Sequence, residues 1–207
     1  MKARNWAFLF FTTLAIGGLS GLFFGFGMYV FQTGEEVVGQ ELILSIIGYA
    51  GAGLMFSLIS QMGLFAYLFF QSMMLGLLKR NWLWQSFQAL LILLVLIDWV
   101  WLRAAAGSGR WLDYLPLPLA LLAVGLVVAI LKSWMTDRQA FIPTLFVMVV
   151  LTTLEWLPAL LTGNPLSMWV MGVPLFVCNA WQVLILHRLV NDGKKPSPAR
   201  KKKWATA

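Results

Sequence analysis

Two carboxylates interrupt long apolar stretches, Asp98 in the run over residues 82–102 and Glu155 in the run over residues 141–161. An ionisable group deep in an apolar helix is costly, so it normally faces a bundle interior or a water-filled pocket. Asp98 lies four residues from the end of its run and Glu155 six, at similar depth, and Arg103 comes close behind Asp98. Asp98, Glu155 and Asn179 therefore make one candidate polar site for a small molecule, an ion or a proton. The alternative is structural: each carboxyl is neutralised by a proton or by a pairing such as Glu155 with Arg103. Asn179 and Gln182 are three apart and share a helix face. They suit hydrogen bonds across helices, about 0.6 kcal/mol each inside a membrane. Ser57, Ser60 and Gln61 cluster in another apolar run, where side-chain hydroxyls and amides can satisfy backbone freed by a bend.

Other chemistry is scarce. One cysteine, Cys178, and one histidine, His187, leave no intrachain disulfide and no cysteine-based metal site. There is no P-loop, HExxH, GxSxG, kinase motif or Gly-rich dinucleotide turn. Neither an enzyme nor a cofactor is expected.

The elements that position these residues can be read from composition. Of 207 residues 60% are hydrophobic and 11% charged, with mean hydropathy +0.82. A soluble domain carries about 25% charged residues. This chain has more apolar surface than one soluble core could hide, which excludes a cytosolic enzyme, a disordered regulator and a soluble nucleic-acid binder. Six spans of about 20 residues would use it. The expected fold is all-α: a polytopic six-helix transmembrane bundle over residues 1–190, in the cell membrane.

The spans are expected at about 6–31, 42–62 with an extension to 78, 82–102, 114–131, 141–161 and 166–186. The second is the ambiguous one. Residues 42–78 carry no charge, and as one helix they would measure about 55 Å against about 30 Å of hydrocarbon. A single crossing, continued from about residue 63 as a bent, interfacial or re-entrant segment, places Lys79 and Arg80 inside. Six crossings with both termini inside then put Lys2, Arg4, Lys79, Arg80, Lys132, Arg138, Arg188 and the tail's basic residues on the cytoplasmic face. Only Arg103 and Arg110 stay outside, as the positive-inside rule requires. Trp6, Trp82, Trp84 and Trp134 fall near the inner headgroups, and Trp99, Trp101, Trp111, Trp156 and Trp169 near the outer ones.

Gly17, Gly21 and Gly25 form a small-residue stripe that lets a second helix approach closely. It serves either packing against the second span of the same chain or a homo-oligomer seam. The tail, residues 191–207, is basic and lacks apolar periodicity. It is expected to be disordered, with Lys194, Lys195, Arg200, Lys201, Lys202 and Lys203 on an anionic inner leaflet at about 1 kcal/mol each. Nucleic acid is not an expected partner, because no folded binding module is present.

Several stretches carry a resemblance: Arg4-Asn5-Trp6 with Phe10-Phe11-Thr12-Thr13-Leu14 and Gly17-Gly18; Ser60-Gln61-Met62-Gly63-Leu64-Phe65-Ala66-Tyr67-Leu68; Phe141-Ile142-Pro143-Thr144-Leu145-Phe146 leading to Leu154-Glu155-Trp156-Leu157-Pro158-Ala159; and Cys178-Asn179-Ala180 with Gln182 and Leu186-His187. In this order and over most of its length the chain resembles the KbaA family, the KinB-signalling pathway activation proteins of spore-forming bacilli. The resemblance implies an integral membrane protein, itself no kinase. It would promote signalling by the membrane sensor histidine kinase KinB and so lead to sporulation. Helix–helix contact with the kinase is the expected mode of action.

Overall fold

The computed structural model describes residues 3–33, 40–78, 80–106, 110–162 and 164–192. The basic tail, Lys79 and the acidic Glu35-Glu36 segment lie outside them. Helices dominate, and there is no strand among the described residues. Among the described residues six helices are long and apolar enough to cross a membrane.

Helix 1 runs from Ala3–Ser20 through a π-helical segment, Gly21–Phe26, into Gly27–Thr33. Helix 2 is Gln40–Leu78, 39 residues. Helix 3 is Asn81–Ala106. Helix 4 is Pro116–Met135, with proline in its first turn, where the missing N–H costs nothing. Helix 5 comprises Phe141–Phe146, a π-helical segment Val147–Leu151, and Thr152–Thr162. Helix 6 is Pro165–Asp192. Pro158 and Pro174 sit inside helices 5 and 6.

Many large apolar side chains are exposed, and several polar ones are fully buried. Phe31 is 85% exposed and Phe69 74%, while Thr13, Ser57, Ser60, Gln88, Thr152 and Asn179 are all at 0%. Small and polar residues make many of the helix contacts here, alongside a buried apolar core, and many large apolar residues point outward.

Glycine sets the tightest contact. A Cβ on Gly21 would lie 2.5 Å from the Gly53 Cα, and one on Gly53 would collide with the Gly17 carbonyl oxygen. Helices 1 and 2 thus touch backbone to backbone. The Gly17, Gly21, Gly25 stripe is filled by Ser57, Gly53 and Tyr49 of the same chain.

The expected bend in helix 2 is absent as a break. Residues 63–78 form neither a re-entrant nor a separate segment but continue one α-helix. Leu64 and Tyr67 lie in the core with Phe146, and Phe70 meets Trp84 edge-on at 5.5 Å. The excess length is shared between the two ends. Trp6 faces Phe65 and Gly25 faces Tyr49 across helices 1 and 2. The Asn5 amide donates to the Leu189 carbonyl and the Cys178 thiol to the Thr13 carbonyl across helices 1 and 6. Carried along, that register takes helix 2 up to about 10 Å beyond the first turn of helix 6 at its Gln40 end and about as far past Asp192 at its Leu78 end.

Two further expectations change. Trp84, Trp99 and Trp156 are buried and pack inside the bundle, so they do not belong to a headgroup belt. Lys132 is buried rather than a free loop charge, because its Nζ donates to the Val183 carbonyl at 2.7 Å and lies 3.1 Å from His187 Nδ1. It ties helix 4 to helix 6.

Candidate functional site

The core has two apolar clusters. One gathers Leu64, Tyr67, Ile92, Phe146 and Val149; the other Trp99, Leu121, Trp156, Met171 and Leu175. On helices 2, 5 and 6 a polar layer separates them: Ser60, Thr152, Glu155, Asn179 and Gln182.

These five side chains form one connected network. The Gln182 amide donates to Ser60 Oγ at 2.7 Å, and the Ser60 hydroxyl donates to Asn179 Oδ1 at 2.8 Å. Asn179 Nδ2 donates to Glu155 Oε2 at 2.8 Å and to Thr152 Oγ1 at 3.0 Å. Asn179, at the centre, touches helices 2 and 5 at once. The three-residue spacing of Asn179 and Gln182 aims both at Ser60.

Helix 5 is prepared for this by its π-helical segment. The extra residue per turn rotates the next stretch of helix about its axis. Thr152 and Glu155 come to face helix 6 while Thr153, Leu154 and Leu157 face the other way. The Thr152 hydroxyl donates back five residues, to the Val147 carbonyl at 3.3 Å. Gly63 completes the layer from helix 2: a Cβ there would overlap Glu155 Oε1, so glycine leaves room for the carboxyl where it stands. That oxygen and Gln182 Oε1 are buried without a hydrogen-bond partner among the described residues.

Gln61 sits beside the network but not in it. Its amide reaches the Phe10 carbonyl of helix 1 at 3.5 Å. Ser60 and Gln61, read as serving a bend, therefore serve contacts between helices, while the Ser57 hydroxyl donates to the Leu54 carbonyl of its own helix at 2.7 Å.

Asp98 lies elsewhere. It is exposed toward a cavity of about 450 Å³ shared with Trp99, Arg103, Tyr114, Thr153 and Leu157. Glu155 does not line that cavity and does not pair with Arg103. The Arg103 guanidinium instead lies 3.7 Å from the Met168 sulfur. The expected grouping of Asp98, Glu155 and Asn179 thus divides into a buried network and a side cavity on opposite faces of helix 5. No group of three or more metal-ligating His, Cys, Asp or Glu side chains occurs among the described residues.

Gly63, Thr152 and the paired Tyr67 and Gln88, whose amide donates to the Tyr67 hydroxyl at 2.8 Å, were not anticipated from the sequence. Gln88 had a signal, as an uncharged polar residue inside an apolar run. Gly63 and Thr152 had none, because small residues and threonines are ordinary in such runs.

Comparison with known proteins agrees on one family. The family model described as KbaA, KinB-signalling pathway activation in sporulation, matches residues 13–189. The KinB-signaling pathway activation protein of Bacillus subtilis (strain 168) is 38% identical over 197 residues, covering 91% of this chain and 98% of the relative. No solved structure matches. With a match that takes in most of all six helices, including every member of the buried network, the chain belongs to the KbaA family.

Proposed function

We propose that this protein is a multi-pass cell-membrane accessory protein, with both termini cytoplasmic, that activates a KinB-type sensor histidine kinase pathway leading to sporulation. Membership of the KbaA family, with a relative of that name aligned over nearly its whole length, is the observation that carries the reading. The many outward Phe, Leu and Met side chains support the membrane setting, since they suit hydrocarbon.

The protein acts here without catalysis, by binding the kinase-active arrangement of its partner better than the inactive one. Contact can shift an equilibrium only through such a difference. About 1.4 kcal/mol would change the ratio tenfold. The face best suited to this is on helix 2, where Met62, Phe65, Phe69, Met73 and Leu77 recur every three or four residues, all exposed. A helix of the kinase could lie along that stripe.

The test is co-expression with a KinB-type kinase and photo-crosslinking scanned along residues 60–78. Crosslinks at Met62, Phe69 and Met73, none at the buried Ser60 and Leu64, and faster kinase autophosphorylation in vesicles are expected. Absence of both co-purification and any effect on autophosphorylation would overturn the reading.

A further inference from the structure

Asp98 and Arg103 are opposite charges on one cavity wall, and the cavity leaves both unsatisfied. Asp98 makes no hydrogen bond or ion pair with any described residue, and the Arg103 guanidinium has only the sulfur of Met168. Asp98 lies eight residues inside the end of helix 3, about 12 Å along the axis. A charge at that depth of an apolar helix is expensive unless something meets it. Around the two charges the wall is apolar, with Val95, Leu157 and Leu161 among its residues, and Tyr114 adds a phenol.

We propose that this cavity binds a small zwitterion with an apolar body, its ammonium at Asp98 and its anionic group at Arg103. Five residues of helix separate the two side chains by about 7.5 Å along the axis, so the ligand must carry its charges on groups set apart. The opposite signs exclude a simple anion or cation as the best fit, since either would leave one charge unmet. Leucine side chains along the wall take the apolar body. Two sources supply this chemistry, a short apolar peptide with free ends or a zwitterionic lipid headgroup. The inference rests on the cavity and not on the kinase reading.

The purified full chain in detergent provides the test, read by thermal unfolding with and without probe. The peptide arm uses Leu-Leu with free ends, its N-acetyl form and its C-terminal amide. The lipid arm compares phosphatidylethanolamine with phosphatidylglycerol. A ligand specific to the folded state raises the unfolding midpoint as its concentration passes its Kd. Removing one charge from the right probe should weaken binding about tenfold or more, as expected for a charge-assisted hydrogen bond.

In Asp98→Asn the free and N-acetylated peptides, or the two lipids, should bind alike. Arg103→Gln should do the same for the free and amidated peptides. Leu157→Trp fills the space without touching either charge and should abolish binding. A response to the peptide series assigns a soluble ligand, and a response to phosphatidylethanolamine over phosphatidylglycerol assigns a lipid. If neither probe shifts the wild type, or charge-masked probes bind it as well as the free ones, the proposal is overturned. That arm needs no variant to fold.

Discussion

Asn179 makes three hydrogen bonds to three residues on two other helices, and leucine at that position makes none. At about 0.6 kcal/mol for each interhelical bond, Asn179→Leu should cost about 2 kcal/mol. Unfolding in mixed micelles, followed by tryptophan fluorescence, would measure it. Asn179→Ala and Ser60→Ala should be non-additive in a double-mutant cycle, because the second change finds its partner already gone. Additive losses would mean that the 2.8 Å contact holds nothing together. At Gly53 a methyl group would press on the Gly17 carbonyl and the Gly21 Cα, backbone atoms that cannot rotate away. Gly53→Ala should therefore force helices 1 and 2 apart and cost about 1–3 kcal/mol. Gly48→Ala meets nothing within 4 Å and should be neutral or slightly stabilising, because alanine is the better helix former. Equal effects at the two glycines would refute backbone contact as the purpose of the stripe.

Helix 2 separates what an amino-acid pattern can and cannot reveal. Its charge-free length, about 55 Å as one helix, is too long for about 30 Å of hydrocarbon. How the surplus divides between the two ends depends on register, and register is decided by contacts such as Gly21 on Gly53 that involve distant parts of the chain. Ser57, Ser60 and Gln61 were ambiguous for the same reason. A hydroxyl or amide can satisfy the backbone of its own bent helix or a side chain on another, and only packing chooses. The π-helical segment of helix 5 left no mark either, although it turns Glu155 away from Arg103 and toward Asn179. Asp98 and Arg103 were legible as neighbours near the same end of one helix, but the partners expected for them, Glu155 and Asn179, lie in the buried network instead. The register makes a direct prediction. In a Cys178→Ser background, Leu44→Cys should react with a membrane-impermeant maleimide on intact cells. Leu58→Cys, within the lipid, should stay unlabelled, and Met73→Cys should react only after the cells are opened. Labelling of Met73→Cys from outside would reverse helix 2.

For the whole molecule, six antiparallel helices and the distribution of charge must agree. An even number of crossings returns the carboxyl end to the side of Lys2 and Arg4, and the tail from Lys194 to Lys203 carries six basic residues. Each is worth about 1 kcal/mol near an anionic cytoplasmic leaflet, so their sum strongly favours the inner face over any arrangement with one more crossing. Burial of Lys132 does not weaken this argument, since its charge is held by the bundle and the tail retains its own. The connection between helices 3 and 4, next to Arg103 and Arg110, should lie outside. Alkaline phosphatase, which folds only after export, should accordingly be active when fused after Arg110 and inactive when fused after Ala207. A green fluorescent reporter should behave in the opposite way at the two points. Active phosphatase after Ala207 would require an odd number of crossings, and with it a second traverse within residues 40–78. The unbroken hydrogen-bonded ladder of helix 2 leaves no room for the turn such a traverse needs.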